Sequence, residues 1–164
     1  INDPALTLRS VRVNVTDLLR RIAQDCDIEA AAREVEIRVD GPDDLVVDGD
    51  PDLLRSAFEN VLRNAIRYSP AREAVRVAVS RQEQRCVVRV VDHGVGVPEE
   101  FLGKIFEPLF RVAPARDTGT GGNGIGLAIV ARVIGVHGGT VRAENVAPSG
   151  LGMTLDLPLA TAAG

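Results

Sequence analysis

Lysine is almost missing from this chain. Of its 164 residues 19 are basic, and 18 of those are arginine; the single lysine is Lys104. A phosphate-binding P-loop closes its glycine-rich run with Lys followed by Ser or Thr. Lys104 is followed by Ile105, so that class of nucleotide-binding protein is excluded. Cysteine is scarce as well. Cys26 and Cys86 make neither a disulfide framework nor a metal-binding spacing, and read as two reduced cysteines of a cytosolic fold. The two histidines, His93 and His137, have no Cys or carboxylate cluster at ligand spacing, and no Ser-His-Asp set stands out. No apolar run reaches the roughly 18 residues of a membrane span, and no signal peptide opens the chain. There is no basic excess either: a net charge of −4 argues against a nucleic-acid face. The first residue is Ile1 rather than Met, as expected of a piece of a longer protein.

What is present is globular. Hydrophobic residues make up 45% and charged residues 26%, and the length suits one domain with a core of its own. Residues 1–10 read as a linker, 11–160 as the domain and 161–164 as a tail. Val11 to Val15 alternate like a short strand. A helix follows, capped by Thr16 or Asp17, with Val15, Leu18, Leu19, Ile22, Ala23 and Cys26 on the 3.6 period, and continues to about Arg33. Val35, Ile37 and Val39 alternate with charges as a half-buried strand; a turn at residues 41–44 leads to another short strand, Leu45 to Asp48. Asp50-Pro51 starts the strongest helix, a capping residue followed by Pro at the first helical position. Its apolar set, Leu53, Leu54, Ala57, Phe58, Val61, Leu62, Ala65 and Ile66, is a wide core-facing stripe. Ala74 to Gln82 and Arg85 to Asp92 form a hairpin. Residues 94–126 hold 8 of the 16 glycines and show no periodicity. Gly126 to His137 is almost wholly apolar, a helix expected to be buried. Gly139 to Glu144 and Gly152 to Leu159 close the chain as strands. Hairpin-linked strands with about three helices predict an α+β two-layer sandwich.

Three segments carry possible chemistry. Ser56, Asn60, Asn64 and Arg67 recur at spacings of 4, 4 and 3, one stripe beside the apolar one. Asn is a poor interior helix residue. The stripe is either a solvated face or a row of carboxamide oxygens for Mg²⁺ and phosphate, with Arg67 bonding phosphate oxygens. Asp92 to Pro98 follows a strand, and is either an Asx-type turn or a site where Asp92 accepts from an amine and glycines let a flat ligand approach. Thr118 to Gly126 runs glycines into a helix start, either a flexible linker or an anion site. Its match to the dinucleotide pattern G-x-G-x-x-G fails on context, because no strand precedes it.

Taken in order, these segments resemble a known set of motifs. Glu59 to Pro70 resembles the N box, Asp92 to Gly96 the G1 box, Ile105 to Arg111 the F box, and Gly122 to Ile129 the G2 box; Gly150 to Leu155 sits at the final glycine-Thr segment. The chain from Val11 onward is similar to the ATP-binding catalytic domain of sensor histidine kinases, in the gyrase, heat-shock-90, histidine-kinase and MutL superfamily. The N box and Ala115-Arg116-Asp117 look most like the envelope-stress sensor kinases. The resemblance implies the Bergerat ATP-binding fold, with about five main strands in a mixed sheet on three helices. It implies ATP and Mg²⁺ as cofactors. Asn64 would coordinate Mg²⁺ with Asn60 nearby, and Arg67 would contact phosphate, these three being catalytic. Tyr68 would lie near the adenine, and Asp92 would accept from its N6 amine with support from Thr154. Gly94, Gly96 and Val97 would let the base lie close. A lid of about 94–126 would be anchored by Ile105, Phe106 and Phe110, and Gly122, Asn123, Gly124, Ile125, Gly126 and Leu127 would close on the phosphates.

One position discriminates within the superfamily. The hydrolases carry a Glu four residues before the metal Asn; here Asn60 stands there, and Glu59 is turned about 100° away around the helix. The implied activity is therefore slow ATP hydrolysis and transfer of the γ-phosphate to a His. That His would lie on a separate helical dimerisation domain, since no phosphoacceptor His is recognisable here. The implied partners are that domain and a response regulator. The parent would be a homodimeric inner-membrane sensor with this domain in the cytoplasm, and the piece itself a monomer that binds no membrane. The competing readings are an ATP-hydrolysing clamp and a kinase-like module without phosphotransfer.

Overall fold

The computed structural model describes residues 9–108, 110 and 126–161. The order is β1 (Val11–Asn14), α1 (Val15–Asp25), α2 (Asp27–Ala32), β2 (Glu36–Asp40), β3 (Val46–Gly49), α3 (Pro51–Tyr68), β4 (Ala74–Gln82), β5 (Arg85–Val91), α4 (Gly126–Val136), β6 (Thr140–Asn145) and β7 (Leu151–Pro158). Five strands form one mixed sheet in the order β2-β4-β5-β7-β6; β2 and β4 are parallel and the rest antiparallel. The parallel pair exists because α3 lies in the connection between its strands; hairpins supply the antiparallel pairs β4–β5 and β6–β7, and β5 meets β7 antiparallel across the connection that carries α4 and β6. A separate ribbon pairs β1 with β3. Helices and sheet enclose one core, the α+β two-layer arrangement expected.

Local chemistry explains the main elements. Asp50 caps α3, its carboxylate accepting from the N–H groups of Asp52 at 3.0 Å and Leu53 at 3.2 Å, and Pro51 starts the first turn. The helix then buries Leu54, Ala57, Phe58, Val61, Leu62, Ala65 and Ile66. His137 joins α4 to this start. Its Nε2 accepts from the N–H of Asp50 at 3.0 Å, so the ring proton is on Nδ1, which donates to the carbonyl of Val133 at 2.7 Å.

Three expectations need correction. The cap of α1 is Asn14, which accepts from Asp17, rather than Thr16 or Asp17; Thr16 is buried and donates to the carbonyl of Pro42. The first helix does not run unbroken to Arg33. It stops at Asp25 and restarts at Asp27, and both Cys26 and Ala30 are buried in the core. Nor is α4 buried all round. Val130, Val133 and Ile134 are inside, but Ile129 is 37% and Val136 41% exposed. A helix lying against α3 and the edge of the sheet has a covered face and an open one, whatever its composition.

Phe58 is the largest of the fully buried side chains. Phe58→Ala is expected to lower the unfolding free energy by about 3–5 kcal/mol, measured by urea denaturation.

Candidate functional site

The polar stripe of α3 is half-buried beside the core stripe. The Nδ2 of Asn60 donates to the carbonyl of Ser56 at 2.8 Å. This commits one end of the carboxamide and leaves Oδ1 facing position 126. That oxygen would stand 2.8 Å from a Cβ at position 126, so α4 starts against Asn60 only because residue 126 is Gly. Asn64 and Arg67 have no side-chain hydrogen bond or ion pair among the described residues. Glu59 is on a different face. It lies between Arg63 at 3.0 Å and Arg55 at 3.6 Å in a ladder that extends to Asp25 and Glu29, and its charge is used there.

At the other end of α3, the carbonyl of Tyr68 meets Gly94. A Cβ there would lie 2.3 Å from that oxygen and 3.1 Å from Oδ1 of Asp92, so no side chain fits. The ring of Tyr68 is 48% exposed. The Asx-type turn is present: Oδ1 of Asp92 accepts from the N–H of Gly94 at 2.8 Å. The same oxygen accepts from the N–H of Leu151 at 3.3 Å. Asp92 is nonetheless 3% exposed. Burial raises its pKa above the ordinary 3.8, against the lowering effect of those two N–H groups and His93. A carboxylate with both bonds on one oxygen, held in low dielectric, has Oδ2 without a partner among the described residues. α3 thus links the two glycine segments, Asn60 touching the start of α4 and Tyr68 the residues after Asp92.

Thr154, placed here by resemblance, lies elsewhere. Strand alternation puts Asp92 on the side of Val88 and Val90, which faces the helices. Met153 pairs with Val90, but Thr154 pairs with Arg89 and so faces the other side. The hydroxyl of Thr154 accepts from Arg89 at 3.0 Å, not from Asp92's environment. His93, the residue after Asp92, also turns to the outer face, where it lines a charged groove with Glu34, Arg38, Arg72 and Arg76. In both cases a step of one residue exchanges the faces of a sheet.

The remaining residues fall into two groups. Ile105 is 6% exposed in the core, with Phe106 and Leu127 packed partly against it. Phe110 stacks on Phe101, ring centroids 5.5 Å apart, a partner absent from the expected set. Gly96 and Val97 are half-buried, and Asn145 bonds Val97 at both ends of its carboxamide. Asn145 was missed because its only signal is spatial. Gly122, Asn123, Gly124 and Ile125 lie outside the described residues, as do Ala115, Arg116 and Asp117. Among the described residues no three His, Cys, Asp or Glu side chains converge as a metal cluster.

Asp92 gives the unliganded fold a pH dependence whose sign is fixed. With a folded pKa above the unfolded one, its contribution to stability is complete below the ordinary carboxylate value and is lost as pH rises through the folded pKa. Asp92→Asn keeps an acceptor for Gly94 and Leu151 and removes the buried charge. The variant is expected to gain stability over the parent from pH ~4 to neutrality, seen as urea midpoints that diverge with pH; parallel midpoints would contradict this.

Residues 49–161 match the family described as Histidine kinase-, DNA gyrase B-, and HSP90-like ATPase. The chain is 36% identical over 146 residues to the sensor-like histidine kinase SenX3 of Mycobacterium tuberculosis, covering 89% of this chain and 36% of that protein. It is 43% identical over 111 residues to the sensor histidine kinase CpxA of Escherichia coli K12, covering 68% and 24%. Full-length ShkA in complex with AMPPNP superposes with a TM-score of 0.81 at 29% identity, covering 98% of this chain and 33% of that one. The chain thus spans about a third or less of the length of these relatives. With the motifs in order, the two-layer fold around α3 and a family match over residues 49–161, the chain belongs to the histidine kinase-, DNA gyrase B-, and HSP90-like ATPase family.

Proposed function

We propose that this chain is the ATP-binding catalytic domain of a two-component sensor histidine kinase. It would bind MgATP and present the γ-phosphate to a His on a separate helical dimerisation domain, for relay to an Asp of a response regulator. The observation that carries this is the stripe on α3: a row of carboxamides and one guanidinium, without a carboxylate, with Asn64 and Arg67 unpaired among the described residues. SenX3 and CpxA are named as sensor histidine kinases, and ShkA was solved with AMPPNP, an ATP analogue.

The residues fit the group. Oδ1 of Asn64 and Oδ1 of Asn60 are hard neutral oxygens of the type Mg²⁺ accepts while keeping waters and phosphate ligands. Bound there, Mg²⁺ would supply charge neutralisation at the phosphate oxygens. Arg67 would hydrogen-bond phosphate, and the start of α4, held against Asn60 by Gly126, would present its positive dipole end. On the base side, Oδ2 of Asp92, without a partner among the described residues, would accept from the exocyclic amine, with Gly94 and Gly96 leaving room and Tyr68 beside the ring. Gly122, Asn123, Gly124, Ile125 and Leu127 would close over the phosphates. Ile105, Phe106 and Val97 would hold the base of that segment.

No general base for water stands on the stripe. Asn60 cannot take a proton, and Glu59 is held by two arginines. Rate would then come from positioning and charge stabilisation, with an imidazole supplied from outside as the nucleophile. Thr154, bonded to Arg89 on the far side of the sheet, would act only through the packing of β7. Among the described residues no helix is long and apolar enough to cross a membrane. A cytoplasmic domain of an inner-membrane, homodimeric parent fits these relatives.

Mixing the chain with a histidine-bearing helical domain and radiolabelled ATP tests the proposal. Label is expected on the His, falling about a hundredfold or more in Asn64→Ala. Steady ATP turnover by the chain alone, with no label on His, would favour a hydrolytic clamp and sink the kinase reading. Asp92→Asn is expected to lose nucleotide affinity while keeping its fold.

A further inference from the structure

The β6–β7 connection is fastened to the segment that follows Asp92. Asn145 ends β6, and its side chain spends both ends on one residue. Oδ1 accepts from the N–H of Val97 at 2.8 Å, and Nδ2 donates to the carbonyl of Val97 at 2.6 Å. That pair of bonds is what a residue in a neighbouring antiparallel strand would make. Ser149, in the same connection, donates its hydroxyl to the carbonyl of Gly94. Leu151, just after it, donates its N–H to Asp92. Between these anchors Gly96 takes φ +76°, and its Cα lies so close to Asn145 that a Cβ would stand 2.5 Å from Oδ1. The chain from Asp92 to Val97 therefore follows a path dictated from another part of the sheet. The lid expected from residue 94 thus begins with a segment tied down at Gly94 and at Val97.

We infer that Asn145 is a positioning residue for the nucleotide, acting through Val97 and Gly96 on the base side of the site and not on the phosphates. This rests on the MgATP reading above. Asn145 is exposed and contributes nothing to the apolar core. Its effect is on order. With the clamp gone, residues 94–97 sample several paths, and binding must select one of them, which lowers the apparent affinity by the fraction of time the competent path is occupied. Only Asn supplies donor and acceptor at this reach. Asp has the same shape but sets a second acceptor against the carbonyl of Val97, Ala supplies neither bond, and Gln is one methylene too long.

The test uses the 164-residue chain, with Asn145→Asp and Asn145→Ala, and titrates Mg-ATP and Mg-ADP by calorimetry. Both variants are expected to bind both nucleotides about tenfold more weakly, the scale of one or two lost hydrogen bonds. The loss should be equal for ATP and ADP, because the γ-phosphate is not involved. Hydrogen exchange at the Val97 amide should quicken while the urea midpoint of the fold stays within error. If the parent binds and either variant matches its affinity, the inference is overturned and the nucleotide reading survives. A loss confined to ATP, or one that tracks a loss of global stability, also overturns it. If the parent binds neither nucleotide, the nucleotide reading itself falls.

Discussion

Burial of one face of α3 is the constraint on which the rest depends. Seven of its side chains enter the core, each of the larger ones worth about 1.5–3 kcal/mol of transfer free energy. That fixes the rotation of the helix about its axis. Once it is fixed, the neighbouring stripe of Asn60, Asn64 and Arg67 has a single direction to face. The same seating brings Asn60 against the start of α4 and the carbonyl of Tyr68 against Gly94. The hydrogen bond from Asp50 to His137 holds the far end of α4 to the start of α3, so the two helices are tied at both ends of their shared face. Placement of polar groups here is a by-product of apolar packing, and needs little energy of its own.

The sheet imposes a second, sharper selection. Its side chains alternate strictly, so chemistry at the end of β5 is divided between two faces. Asp92 faces the helices and loses its solvent; His93, the next residue, faces a charged outer groove. Met153 and Thr154 are divided in the same way across β7. The buried carboxylate is the costly member. Two backbone N–H groups on one oxygen offset part of its desolvation, and the remainder raises its pKa. A fold that carries such a group with its desolvation only partly offset holds back stability at that position, a pattern common where a polar ligand completes the site. Asn60 and Gly126 show the complementary economy: a side chain is omitted so that two elements can meet.

Much of this was legible beforehand, for reasons that can be named. The 3.6 period of α3 and its Asp50-Pro51 start are local signals, and they located the helix and its buried face. The alternation of Val35, Ile37 and Val39 with charges did the same for β2. The four motif segments pointed to the family because their order along the chain is itself information. What failed was of two kinds. The break at Cys26 and the open face of α4 depend on what lies beside those helices, which composition does not record; Ile129 and Val136 look as apolar as Val133. Thr154 was misplaced because a single residue step in a strand reverses the side chain, and a motif matched by letters carries no face.

By itself, then, the sequence determined the elements, their order, the absence of a P-loop lysine and the residue types offered to a phosphate ligand. Those follow from propensity, periodicity and side-chain chemistry, which act within a few residues. Tertiary structure alone decided which of those residues share a space. The clamp of Asn145 on Val97 joins positions 48 residues apart, and the bond from Leu151 to Asp92 joins positions 59 apart. Neither has a local signature. Each is set by strand register and by the space that the packed core leaves, and the direction of every functional side chain follows from those two.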